Sequence, residues 1–170
     1  MSKAFTKEDD AGETPPLPRL QSPLRAGERN YLTPAGAQRL RDELAQLSGE
    51  KRPPLLAIAQ TDGEAKRELQ ALDQRLAYLQ ESLRTAEVIP LRLGIGDRVQ
   101  FGATVTVKEG TGKTTTYRLV GVDETDLDRN WVSWQSPVAR ALLNTRLGQR
   151  VTFKFPAGQA ELEIVKIEYL

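Results

Sequence analysis

The chain has 170 residues, a net charge of +1 from 24 Lys and Arg against 23 Asp and Glu, and neither Cys nor His. The charge balance removes any whole-chain electrostatic argument for nucleic acid or membrane binding. The missing residue types exclude disulfides, thiol nucleophiles, imidazole bases and nearly every protein zinc site, so a metal here would have to be hard and oxygen-bound, of the Mg²⁺ kind.

The length suits one ordinary domain or two small ones. No apolar run approaches the roughly 18 residues that a membrane span needs. The first ten residues hold no apolar signal core, which predicts a cytoplasmic protein with no membrane partner.

In chain order, residues 1–30 carry Pro15, Pro16, Pro18 and Pro23 among scattered charges, with almost no apolar period. That pattern predicts a tail without fixed structure when free, either a solubilising arm or a segment for some partner. Thr33-Pro34 then reads as a helix start, with Thr33 as N-cap and Pro34 where a missing N–H costs nothing. Ala37, Leu40, Leu44 and Leu47 form an apolar stripe along this first arm. Gly49 and Pro53-Pro54 interrupt it, so a bend is expected near Ser48–Pro54.

The second arm is predicted from about Asp62 to Thr85. Leu69, Leu72, Leu76, Leu79 and Leu83 alternate spacings of three and four, the seam of a coiled coil. Two seams joined by a tight turn predict an antiparallel helical hairpin over residues 31–90. Such a pair is too thin for an enzyme core and has the shape of a probe.

After Gly94-Ile95-Gly96-Asp97 the period changes to alternation. Val99, Phe101, Val105 and Val107 suggest strands broken at Gly102, and Glu109 to Lys113 suggests a hairpin turn leading into Thr115-Tyr117-Leu119. Trp131 to Trp134, Val151 to Phe155 and Ala160 to Tyr169 read as further strands, with a short helix from Val138 to Leu143. Residues 91–170 thus describe a small sheet domain, and the whole chain an α+β protein.

The tip of the hairpin, Thr61-Asp62-Gly63-Glu64, admits two readings. Asp62 and Glu64 could complete the shell of a divalent ion held by another protein, because Mg²⁺ takes one or two carboxylates and keeps waters. Alternatively Thr61 and Glu64 form a capping box, and Asp62 complements the helix dipole. Lys51, Arg52, Lys66, Arg67 and Arg75 on the arms either follow a phosphate backbone or solvate the faces beside the seam. Gly112-Lys113-Thr114 lacks the first glycine of a P-loop and precedes a β-prone run, so it reads as a turn. Trp131 and Trp134 exceed what a minimal core needs, and one of them is a candidate interface anchor.

Several stretches carry a family resemblance: Asn30-Tyr31-Leu32-Thr33-Pro34-Ala35-Gly36, Arg41-Asp42-Glu43-Leu44, Glu50-Lys51-Arg52-Pro53, Asp73 to Leu79, Val120-Gly121-Val122-Asp123-Glu124, and Val132-Ser133 through Leu143. Pro156-Ala157-Gly158 through Tyr169 belongs with them. Across about residues 30–170 the chain resembles the bacterial Gre transcript-cleavage factors, closer to the GreB branch.

That resemblance implies an N-terminal antiparallel coiled coil and a C-terminal domain of FK506-binding-protein type without isomerase activity. It implies docking of that domain at the rim of the RNA polymerase secondary channel through Asp123, Glu124, Ser136, Pro137, Ala139 and Arg140. The coiled coil would enter the channel, with Lys51, Arg52, Lys66 and Arg67 facing it and nascent RNA or DNA of the elongation complex nearby. Acidic tip residues, here Asp62 and Glu64, would help hold a second Mg²⁺ shared with the polymerase, and the polymerase would cut the RNA. The factor would be a monomer with no cofactor and no enzymatic activity of its own.

The tip departs from the family pattern. Members carry a longer acidic segment ending in a tyrosine, and this chain is about a dozen residues shorter between Arg52-Pro53 and Leu72-Asp73. Shared between two arms, that shortens the reach by roughly 9 Å, whereas metal coordination tolerates tenths of an ångström. Three functions follow for the chain: a regulator that occupies the channel without cleavage, a full cleavage factor docked differently, or an interaction module acting away from the channel.

Overall fold

A computed structural model describes residues 24–170 except Ala26, Arg92, Leu93 and Ala157; of the proline-rich tail read over residues 1–30, residues 1–23 lie outside the described residues and Asn30 begins a strand. The described chain opens with a short strand, β1 (Asn30–Leu32), followed by the helix α1 (Pro34–Gln46). Thr33 is its N-cap, its hydroxyl accepting the Gly36 N–H at 3.0 Å, as the Thr-Pro pair predicts.

The expected bend at the proline pair takes a different form. Leu47–Lys51 winds as a π turn and passes directly into α2 (Arg52–Ile58), with the Arg52 N–H donating to the Leu47 carbonyl. Proline supplies no N–H and its ring crowds the carbonyl four residues back. A wider turn moves those carbonyls aside, so the arm stays helical through Pro53 and Pro54.

After the turn at Thr61 and Asp62, α3 (Gly63–Thr85) runs 23 residues, about 34 Å at 1.5 Å per residue. Leu76 and Leu79 of the leucine seam are buried, and Leu79 clusters with Leu32, Ala37 and Leu40 at the start of the first arm. Two ion pairs cross between the arms: Arg75 grips Glu43 through two of its N–H donors, at 2.7 and 2.8 Å, and Arg52 meets Asp73 at 2.7 Å. Leaving α3, the strand β2 (Ala86–Val88) lies parallel to β1, a pairing that three-residue runs do not reveal in sequence.

The sheet is built from β3 (Gly94–Ile95), β4 (Ala103–Glu109), β5 (Thr114–Val120), β6 (Trp131–Ser133), β7 (Arg150–Phe155) and β8 (Gly158–Tyr169), with α4 (Pro137–Leu142) packed on it. Its order is β3-β8-β4-β5-β6, with β7 also on β8, and β5 and β6 pair in parallel. Val99 and Phe101, expected on a strand, precede it: β4 begins at Ala103.

Alternation on β4 buries Ala103, Val105 and Val107. On β8 the buried residues are Leu162, Ile164, Ile167 and Tyr169, and the parity slips between Ile164 and Ile167. Thr106 pairs with Lys166 and Val107 with Ile164, so Val165 is the extra residue of a bulge. Val138, Ala139 and Leu142 of α4 close the core. The hairpin between β4 and β5 turns through Gly112 at φ +88°, and Thr114 begins a strand, which disposes of the P-loop.

Candidate functional site

Three regions carry the sequence-derived candidates: the tip of the arms, the surface around α4, and the junction between arms and sheet.

At the tip the capping group is Asp62, one residue after the Thr61 expected from the sequence. Asp62 Oδ1 accepts from the Glu64 N–H at 2.8 Å and the Ala65 N–H at 3.3 Å, while the Thr61 hydroxyl turns back to the Ile58 carbonyl at 3.4 Å. An extended backbone is needed at an N-cap, and Asp62 has it at φ −117°, ψ 119°. Glu64 is exposed on the first helical turn, where its charge complements the helix dipole.

Among the described residues no group of three or more acidic, histidine or cysteine side chains gathers to hold a metal ion. Asp62 Oδ1 is committed to the cap, so the tip presents Asp62 Oδ2 and the Glu64 carboxylate. Of the basic candidates, Lys51, Lys66 and Arg67 are exposed, whereas Arg52 is held by Asp73.

Around α4, Ser136 is the N-cap, its hydroxyl accepting the Ala139 N–H at 3.2 Å. Pro137 and Arg140 are exposed and Ser136 half-buried, but Ala139 is fully buried in the core. Ala139 can serve a docking face only by shaping the helix.

Asp123 and Glu124 sit in the 3₁₀ turn (Val122–Glu124) of the connection between β5 and β6, and both point their carboxylates at the arms. Glu124 is 3% exposed. One of its oxygens accepts the Thr33 N–H at 2.9 Å and the Gly121 N–H at 3.0 Å, and the other accepts the Thr33 hydroxyl. The Arg39 guanidinium lies 3.9 Å away. The carboxylate thus holds the start of α1 by its capping residue.

The fit is close enough to demand two glycines. A Cβ on Gly36 would sit 2.1 Å from the Glu124 carboxylate carbon, and one on Gly121 would sit 2.3 Å from the Tyr31 carbonyl. Asp123 accepts from Tyr78 and Ser82 of α3, so the second arm is tied as well. Burial and the hydrogen bond to Asp123 push the Tyr78 hydroxyl well above the usual tyrosine range. Asn30 completes the junction by donating to the Ser82 carbonyl at 3.0 Å.

This junction escaped sequence reasoning, which placed Asp123 and Glu124 on a docking surface. The structure gives Glu124 an internal partner set and leaves Asp123 half-buried. The tryptophans are also accounted for. Trp134 packs on Tyr31 at 4.9 Å between ring centres, and the Arg39, Arg118 and Arg129 guanidinium groups lie 4.8–5.4 Å from the Trp131 ring.

The described chain is thus a helical pair tied to a small sheet through Thr33, Asp123 and Glu124. The family described as "Transcription elongation factor, GreA/GreB, C-term" matches residues 95–169. Transcription elongation factor GreB of Neisseria meningitidis serogroup A is 39% identical over 155 residues, covering 84% of this chain and 95% of that protein. Transcription elongation factor GreA of Thioalkalivibrio sulfidiphilus is 39% identical over 153 residues, covering 82% of this chain and 97% of that protein. The crystal structure of GreA factor homolog 1 of Thermus thermophilus is 25% identical, covers 83% of this chain and 99% of that one, and has a TM-score of 0.40.

The chain belongs to the GreA/GreB family of transcription elongation factors. Factors of this family act with RNA polymerase as accessory proteins, and the cleavage they stimulate is the polymerase's own chemistry. Among the described residues no helix is long and apolar enough to cross a membrane.

Proposed function

We propose that this protein regulates elongation by occupying the polymerase secondary channel with its paired helical arms, wound as a coiled-coil hairpin over residues 31–90, without delivering carboxylates to the catalytic metal. The sheet part, residues 91–170 and of FK506-binding-protein type in this reading, docks at the channel rim through the exposed Pro137 and Arg140 with Ser136 beside them. It acts as a monomer in the cytoplasm. Lys51, Lys66 and Arg67 face the channel wall or the nucleic acid inside it.

The observation that carries the reading is the tip. Asp62 Oδ1 is taken by two backbone N–H groups of its own helix, which fixes the carboxylate on the cap and leaves Oδ2 and Glu64 as the acidic oxygens at the tip. A shortened arm is a poor way to present these at tenths of an ångström to a metal held elsewhere. A shortened hairpin is further supported by the alignment to the Neisseria relative, which spans 155 residues while 84% of 170 is about 143.

The test is a stalled, backtracked elongation complex with a 3′-labelled transcript. The expected result is binding to core polymerase, no faster release of short 3′ fragments, and slower fragment release by a cleavage-competent GreB added in competition. Accelerated release that disappears in an Asp62→Asn/Glu64→Gln double variant would overturn the proposal in favour of a full cleavage factor. Failure to bind core polymerase would instead point to an interaction module acting elsewhere.

A further inference from the structure

Arg98 and Arg146 face each other across a β-bridge that lies outside the strands of the sheet. The Leu147 N–H donates to the Asp97 carbonyl at 3.3 Å and the Val99 N–H to the Thr145 carbonyl at 2.9 Å. These bonds flank the two arginines, which makes them a non-hydrogen-bonded pair, the closer kind of antiparallel pairing. Their Cα atoms are then about 4.5 Å apart and both side chains leave from one face.

The surroundings fix that placement. The Tyr169 hydroxyl donates to the Arg98 carbonyl at 2.7 Å and accepts the Gln100 N–H at 3.0 Å. Gln149 Oε1 accepts the Arg146 N–H at 3.0 Å. Like charges directly opposite each other oppose the pairing, and nothing within the described residues relieves them. Arg52, Arg75, Arg84 and Arg129 each meet a carboxylate within 3.4 Å, whereas neither Arg98 nor Arg146 pairs with one among the described residues.

Both arginines are exposed and line a pocket of about 460 Å³, together with Ile95, Asp97, Gln100 and Tyr169. Ile95 is 85% exposed and gives the pocket an apolar wall. Two arginines less Asp97 leave the lining with a net charge of +1.

A phosphate group suits this arrangement better than a carboxylate. A carboxylate brings one charge and two oxygens, which a single guanidinium fork already satisfies. A phosphate brings close to two charges at pH 7 and at least three acceptor oxygens, enough for two forks side by side. We propose that Arg98 and Arg146 form a binding site for the phosphate group of a small ligand, either free phosphate or a phosphomonoester whose organic part lies against Ile95. The site stands on the sheet, away from the tip of the arms, and is independent of how the arms act.

The test is an NMR titration of the full isotope-labelled chain with inorganic phosphate and with adenosine 5′-monophosphate, at an ionic strength held constant with sodium chloride. Saturable shifts are expected for the Gly96 and Leu147 amides and for the Arg98 and Arg146 Nε–H signals, while amides near Lys51 and Arg150 stay in place. Arg98→Gln and Arg146→Gln should each weaken binding about tenfold or more, the loss of one charge-assisted fork. Asp97→Asn should tighten it. Tighter binding of the nucleotide identifies the monoester as the source, and equal binding identifies free phosphate. Acetate that binds as tightly as phosphate would overturn the proposal, since the occupant would then be a carboxylate of a protein partner. Shifts that grow without saturating, or that persist in an Arg98→Gln/Arg146→Gln double variant, would overturn it as well.

Discussion

Glu124→Ala removes the acceptor on which the junction of arms and sheet depends. The parent side chain is 3% exposed and takes two backbone N–H groups, from Thr33 at 2.9 Å and Gly121 at 3.0 Å, besides the Thr33 hydroxyl. The hydroxyl can reorient, but the two amides cannot. Each stranded donor costs about 1–3 kcal/mol, and relief from burying a charge returns part of that.

A net loss of about 2–4 kcal/mol is expected, or a fall in melting temperature of about 4–16 °C for a chain of this size. Urea unfolding followed by far-UV circular dichroism, dominated by the arms, and by tryptophan fluorescence, which reports the sheet, checks it. In the parent the two transitions should coincide. In the variant the helical signal should melt first, because α1 has lost its hold on the sheet. Glu124→Gln keeps one acceptor oxygen and should lose about half as much. Coincident transitions with a loss below about 0.5 kcal/mol for Glu124→Ala would refute the assignment of Glu124 as the tie.

Two further outcomes follow from the same geometry. Glycine to alanine in a helix ordinarily gains up to about 1 kcal/mol. Gly49→Ala, with nothing within 4 Å of the added Cβ, should be neutral or stabilising, whereas Gly36→Ala, 2.1 Å from the Glu124 carboxylate carbon, should destabilise; thermal melts of the pair reveal the opposite signs. Tyr78, whose hydroxyl is held neutral by burial and by its bond to Asp123, has a folded pKa above its unfolded one. Its contribution is therefore fully present below about pH 10 and is lost as pH rises from there toward the folded value. Tyr78→Phe should flatten the decline of stability across that alkaline window in urea titrations, and an unchanged slope would exclude the linkage.

The helical elements were legible because their signals are local. The spacing of Leu76 and Leu79 and Thr33 ahead of Pro34 each act within one or two turns, and each appears where it was read. The errors were also local. Thr61 and Asp62 can both cap a helix, and only the backbone angles choose Asp62. Proline pairs suggest a break, and a π turn is an alternative that the sequence does not announce. In the sheet, the bulge at Val165 shifts the alternation by one residue, which a strict two-residue period cannot anticipate.

By itself the sequence determined the helical arms, the alternating strands, the lack of thiol and imidazole chemistry, and the family. All of these follow from residue types and spacings over short stretches of chain. The tertiary structure decided what Asp123 and Glu124 do. Thr33 and Glu124 lie 91 positions apart, and no periodicity links them. A carboxylate reads as a surface charge until folding buries it among donors, and only then does it become the tie that holds the arms to the sheet.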